Sequence, residues 1–295
     1  MNQRTKVYVP SPTKRYRVTR AELQRRREGL LAIVAEQRPM TVRQVFYQAT
    51  VHGIVEKTEG GYRKVQVDLV EMRRSGLLPY GWLADSTRWM RKPRSYRDMA
   101  DALTATAQLY RRDLWADAAT RVEVWLEKDA LAGVVYPVTA AYDVPLMVTR
   151  GYASLSFLHA AAEEIAEAQR PTFICHLGDF DPSGVDAARK VEETLRGMAP
   201  EAEIHFERLA VTARQLAELD LPSRPTKVSD TRAANFGDIS VELDAIPAAT
   251  LRRLVEGAIT DHLPAGQLGI LRTIESDERR LLHGMVGMLG EAGHG

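Results

Sequence analysis

Three acidic residues stand out by type and spacing. Glu127 lies near the end of the segment VEVWLEK (122–128), and Asp179 and Asp181 close the segment PTFICHLGDFD (171–181). Both segments are apolar almost throughout and read as buried strands. In open α/β sheets, ligands collect at the carboxyl ends of strands. Side chains alternate along an extended chain, so the Asp-x-Asp spacing turns both carboxylates to one side. Three converging carboxylates form a hard, all-oxygen site suited to Mg2+ or Mn2+. Such an ion neutralises a phosphodiester and polarises its leaving oxygen. Pro182-Ser183-Gly184 then opens a helix whose first N–H groups could face phosphate. The plainer alternative is that Asp179 and Asp181 only turn the chain and cap this helix, since Asp-Pro and Ser-Gly are ordinary turn chemistry. Further on, Glu242 and Asp244 in VELDAIP either extend the metal site or cap the helix near residue 250.

The elements that must position these residues follow from hydrophobic period. PLMVTRG (145–151) and EIHFERLAV (203–211) read as two further strands. Between the strands, Leu158, Ala161, Ala162 and Ile165 mark one helix face, and 185–195 is helical. This alternation predicts an α/β fold, a mostly parallel sheet with helices on both faces. Residues 222–240 hold Pro and Gly breaks and read as a long loop, followed by helices over about 251–259 and 275–290.

The first part of the chain has a different pattern. Residues 1–18 form a basic arm with Arg4, Lys6, Lys14, Arg15 and Arg17 and no acidic residue. Thr19 and Glu22 fit a capping box for a helix reaching Gln37. Thr41 caps a second helix whose apolar face is Val42, Val45, Phe46 and Ala49. A turn at Glu59-Gly60-Gly61 precedes a third helix, with Val65, Leu69, Met72 and Leu77 inward. Three short helices with a basic surface suit a helix-turn-helix or winged-helix domain. Arg88, Arg91, Lys92 and Arg94, interleaved with Trp89 and Tyr96, could track a phosphate backbone. The expected organisation is therefore an arm (1–18), a winged-helix-like DNA-binding domain (19–120) and a metal-binding domain (121–295).

Charge follows the same division. Residues 1–120 carry 23 Lys+Arg against 12 Asp+Glu, and residues 121–295 carry 17 against 27. A basic half joined to an acidic half is what a nucleic-acid-binding module fused to a metal-binding module requires. One cysteine, Cys175, excludes an intrachain disulfide and reads as a small core residue. No stretch is apolar enough to span a membrane, and no signal-peptide core is visible, so a cytoplasmic, nucleoid-associated location is expected. There is no Gly-rich nucleotide loop followed by Lys-Ser/Thr, so any ATP-driven step needs a separate ATPase subunit. His52, His159, His176, His205 and His262 show no metal-ligand spacing.

VEVWLEKDA, TRG and GDFDPSG on successive strands together resemble a Toprim domain. Within that group the chain is similar to the A subunit of topoisomerase VI and its meiotic double-strand-break relatives, in which a winged helix precedes the Toprim domain. The resemblance covers about residues 35–260, and the chain looks like a minimal version of the kind carried by bacteria or mobile elements. It implies that Glu127, Asp179 and Asp181 bind divalent metal. It also implies a catalytic Lys128, after a glutamate preceded here by Leu126 rather than valine. VRQVFYQ (42–48) resembles the family's Arg-x-x-aromatic-Tyr helix, which makes Tyr47 the nucleophile. Arg43, one turn earlier, would hold the attacked phosphate and favour the phenolate, since a free phenol titrates near ~10. Phe46 and Tyr47 are about 100° apart on a helix, so Phe46 should pack inward and Tyr47 should lie exposed on the DNA-facing surface. Against this, a tyrosine beside a phenylalanine is often half-buried packing. Arg150 of the TRG segment joins the cations expected to contact DNA. The implied activity is cleavage of double-stranded DNA by tyrosine transesterification, with a homodimer making the double-strand break. A hydrolytic nuclease using metal-activated water and a non-catalytic DNA-binding subunit are the alternatives.

Overall fold

The computed structural model describes residues 19–84, 93–226, 236–263 and 266–292. The basic arm and Arg88, Arg91 and Lys92 lie outside the described residues. The N-terminal part is helical: α1 (Arg20–Gln37), α2 (Val42–Val51) and α3 (Glu59–Arg74), with α4 (Met99–Leu109) after them. Thr19 and Thr41 each close a capping box, with Glu22 and Gln44 respectively. Two local expectations change. Glu59–Gly61 is not a break but the first turn of α3, because Thr58 caps it and accepts from the Gly61 N–H at 3.0 Å. The helix stops at Arg74, so Leu77 faces solvent and Leu78 takes the inner position.

The second part is built on β1 (Arg121–Leu126), α5 (Ala132–Ala141), β2 (Leu146–Val148), α6 (Leu155–Ala168), β3 (Thr172–Leu177), α7 (Pro182–Met198) and β4 (Ile204–Ala210). The four strands form one all-parallel sheet in the order β2-β1-β3-β4. Alternation along the strands serves both faces. Trp125 and Ile174 pack with Leu158 and Ile165 of α6 and Val191 and Leu195 of α7. Val122, Val124, Leu126, Cys175 and Leu177 turn the other way, toward Val134 and Val135. After α8 (Ala213–Glu218), the expected loop holds a short antiparallel pair, β5 (Arg224–Pro225) with β6 (Ile239–Ser240). The chain then forms α9 (Ala248–Thr260) and α10 (Gln267–Ala292), the latter longer than its apolar period indicates.

The apolar core does not stop at the boundary near residue 120. A single buried cluster runs from Leu30, Val45 and Leu69 through Val124 and Leu126 to Leu251 and Val255. Polar contacts reinforce the join. Arg252 donates to the carbonyls of Gln37 and Pro39, at 2.9 and 3.1 Å. α4 packs on α10, where Arg112 pairs with Glu278 at 2.7 Å. Among the described residues, no helix is long and apolar enough to cross a membrane.

Candidate active site

Strand β1 ends at Leu126 and β3 at Leu177, so Glu127 and the Asp-x-Asp pair emerge in loops at the same edge of the sheet. The backbone fixes the first of these. The Glu127 N–H donates to the Leu177 carbonyl at 2.9 Å, and its side chain folds over the next loop to accept from the Asp179 N–H at 3.1 Å. Glycine makes this approach possible. A Cβ on Gly178 would stand 2.5 Å from Glu127 Oε2, and one on Gly184 would stand 3.1 Å from that oxygen and 2.4 Å from the Asp179 carbonyl. Arg208, at the end of β4, ties the loop down by donating to the carbonyls of Gly178, Asp179 and Gly184.

Asp181 does cap α7: its Oδ1 accepts from the Gly184 N–H at 2.8 Å. Its other oxygen accepts from Arg224 at 3.2 Å. Capping therefore accounts for one oxygen of Asp181 and for none of Asp179. Asp179 Oδ1 instead accepts from the Leu243 N–H at 2.8 Å and from Lys128 at 3.3 Å.

A backbone bridge brings in the downstream acids. Phe180 and Val241 exchange N–H···O bonds of 2.8 and 2.9 Å, laying the 241–245 segment along the Asp-x-Asp loop. Glu242 and Asp244 are both buried, and neither caps α9, whose N-cap is Pro247. Asp244 accepts from Lys128 at 2.6 Å and from Thr41 at 3.0 Å. Glu242 accepts from Arg43 at 2.7 Å and lies 3.5 Å from Lys128. The capping residue and the arginine of α2 thus meet the acids of the sheet edge. Arg43, Tyr62, Lys128, Asp179, Glu242 and Asp244 line a cleft of about 500 Å3 between the two parts.

The electrostatics differ from one acid to the next. Burial pushes the Glu127 carboxyl above its ordinary range, and the charges of Asp179 and Asp181 push it further. Burial also raises Asp179, against the pull of Lys128. Among the described residues Glu127 has no cationic partner in contact, so a divalent ion would relieve the repulsion around it. Oxygen donors alone, the glycine cradle around Glu127 and a charge that Arg208 offsets only in part fit such an ion. The carboxylates are not drawn into a ready three-ligand cage among the described residues, because Lys128 and Arg224 hold Asp179 and Asp181.

Tyr47 departs from the expected exposure. It is 6% exposed, against 8% for Phe46, so both residues of the pair are buried. The cause is that α2 is covered nearly all round: Phe46 packs on Tyr62, and the Lys57 ammonium lies 5.7 Å from the centre of the Tyr47 ring. Burial, with Glu242 nearby, raises the phenol to about 12, against the opposing pull of Arg43 and Lys128. Its hydroxyl makes no hydrogen bond among the described residues. Arg150, in a left-handed backbone conformation, pairs with Asp129 at 3.0 Å. Arg94 is exposed.

Arg224, Arg208 and Thr41 were not singled out by the sequence as site residues. Arg208 had a faint signal, a lone cation at the end of a core strand. Arg224, in a Pro-flanked loop, had none. No family model matches this chain, and no curated protein matches it.

Proposed function

We propose that this chain is a metal-dependent DNA-cleaving protein, with Mg2+ or Mn2+ held by Glu127, Asp179 and Asp181. The observation that carries this reading is the folding of Glu127 onto the Asp179–Asp181 loop at one sheet edge, with no cation in contact with Glu127 among the described residues. When bound, the ion would supply charge neutralisation at a phosphodiester. The chain's own groups would do the rest: Lys128 and Arg43, which both line the cleft, carry charge suited to orienting a phosphate. Double-stranded DNA as substrate and a homodimer as the cutting unit belong to this proposal.

The nucleophile divides the reading in two. Tyr47 is favoured by its unbonded hydroxyl and by the nearby charges of Arg43 and Lys128. Water is favoured by the burial of Tyr47 and by its phenol, which stays protonated at neutral pH. One experiment tests the proposal and separates the two. Labelled duplex DNA is incubated with protein and Mg2+ or Mn2+, then denatured with and without protease. Ends that shift only after proteolysis mean a tyrosyl link, which Tyr47→Phe must abolish. Free ends that survive Tyr47→Phe mean hydrolysis. No metal-dependent break under any condition rejects the enzyme and leaves a DNA-binding subunit.

A further inference from the structure

One buried carboxylate gathers cations from four separate segments of the chain. Glu242 Oε2 accepts from Arg43 of α2 at 2.7 Å and lies 3.5 Å from Lys128, which follows β1. Glu242 Oε1 lies 3.8 Å from Arg224 of β5. Lys57, which precedes α3, adds its charge to the same group and is anchored on the Ser223 carbonyl beside Arg224. These cations are not equally committed. Lys128 is shared with Asp179 and Asp244, and Arg224 also holds Asp181. Arg43 has Glu242 as its single ion-pair partner among the described residues. Its side chain is 44% exposed on the cleft wall, so an incoming anion can reach it. Arg224 holds an unspent donor: its Nε is buried without a partner among the described residues. A guanidinium has five N–H groups in a fork suited to two oxygens at once, and both forks reach Glu242, that of Arg224 shared with Asp181.

We propose that Glu242 is an internal stand-in for a nucleic-acid phosphate: Arg43, Lys128 and Arg224 form a phosphodiester-binding site that Glu242 fills in the free protein and yields when the strand binds. A carboxylate and a phosphodiester carry the same single charge and offer oxygens to the same donors, so one replaces the other without leaving a buried cation bare. The inference rests on the DNA reading above but needs binding only, not cleavage. It makes Glu242 a competitor of the substrate rather than a metal ligand, and it adds Arg224 to the phosphate contacts.

The test is fluorescence anisotropy with a short labelled DNA duplex at fixed salt and in excess chelator, so that no metal-dependent reaction takes part. Glu242→Gln keeps the shape and loses the charge, and it should tighten binding about tenfold, the scale of one charge-assisted hydrogen bond. In an Arg43→Gln background the same change should gain only about threefold, because one of the three competed cations is gone. Glu242→Asp keeps the charge but withdraws it by one methylene, and it should tighten binding by about threefold. This conservative variant also serves if Glu242→Gln does not fold. Equal gains from Glu242→Gln in both backgrounds would mean that only the bulk charge had changed, and would overturn the proposal. So would unchanged or weaker binding by Glu242→Gln, or no effect of Glu242→Asp. Only binding is measured, so a protein that never cuts DNA can still pass or fail this test.

Discussion

Glu127 and Glu242 are glutamates at the same sheet edge, each beside Asp179, and their surroundings treat their charge in opposite ways. Burial raises the Glu127 carboxyl, and the charges of Asp179 and Asp181 raise it further, with Arg208 offsetting them only in part. Burial also acts to raise Glu242, but Lys128 and Arg43 outweigh it and the net shift is downward. The structure therefore separates a carboxylate whose charge is compensated only in part from one whose charge is already spent. A stable fold has no use for the first arrangement, whereas it is what a cation site requires before the cation arrives. The second arrangement contributes to holding α2 against the sheet edge, through Arg43, Thr41 and Lys128.

The sharpest way to break this contrast is activity. Under the proposed function, Glu127→Gln or Asp179→Asn should lower metal-dependent cleavage of labelled duplex by at least about a thousandfold, or ~4 kcal/mol of barrier, with the fold intact by circular dichroism. Full cleavage by either variant, or by wild type in excess chelator, removes the metal assignment.

Stability should show the reverse pattern. Asp244→Ala strips Lys128 of its shortest partner and Thr41 of its hydroxyl acceptor, at a site 1% exposed. Denaturant titration should register a loss of about 3 kcal/mol, the scale of breaking a buried pair from one side. A loss under about 1 kcal/mol would mean that the network does not fasten the two parts.

His176 on β3 extends the comparison to a buried group with no charged partner in contact. Burial lowers its imidazole to about 3, with Arg208 adding to the shift, and its Nδ1 has no hydrogen-bond partner among the described residues. The unfolded chain takes up a proton as pH falls below about 6.5, whereas the folded chain resists until about 3. Wild type should therefore lose stability steadily across that window, by about 2 kcal/mol at pH 5. Melting curves of His176→Gln should lack this component. An identical pH dependence in the two proteins contradicts it.

The smallest effect concerns Glu127 itself. A raised carboxyl means that ionisation costs folding stability as pH rises above its ordinary range, so neutral pH is where relief is felt. Glu127→Gln should raise Tm at pH 7 slightly, and should remove most of the added stability that Mn2+ confers on wild type. Equal Mn2+ stabilisation of both proteins would place the ion elsewhere.

Local rules took the sequence far. The apolar runs containing Val122–Leu126 and Thr172–Leu177 form neighbouring parallel strands, and Thr19, Thr41 and Ser154 cap the helices that follow them. These features depend on period and on hydrogen bonds spanning three or four residues, so the sequence carries them directly. The position of Glu127 and the Asp-x-Asp pair at strand ends follows for the same reason. What tertiary structure alone decided is how the charges pair and which faces are covered. Helical period separates Phe46 from Tyr47, but it cannot show that Tyr62 and Lys57 come back to cover α2, so the expected exposure of Tyr47 failed. Nor does anything local to VELDAIP choose between capping and the site; the Phe180–Val241 bridge chose. Arg224 is an ordinary loop arginine until Asp181 and Glu242 lie beside it. Hydrophobic period is written residue by residue along the chain, whereas an ion pair depends on a distance between segments that only the folded chain sets.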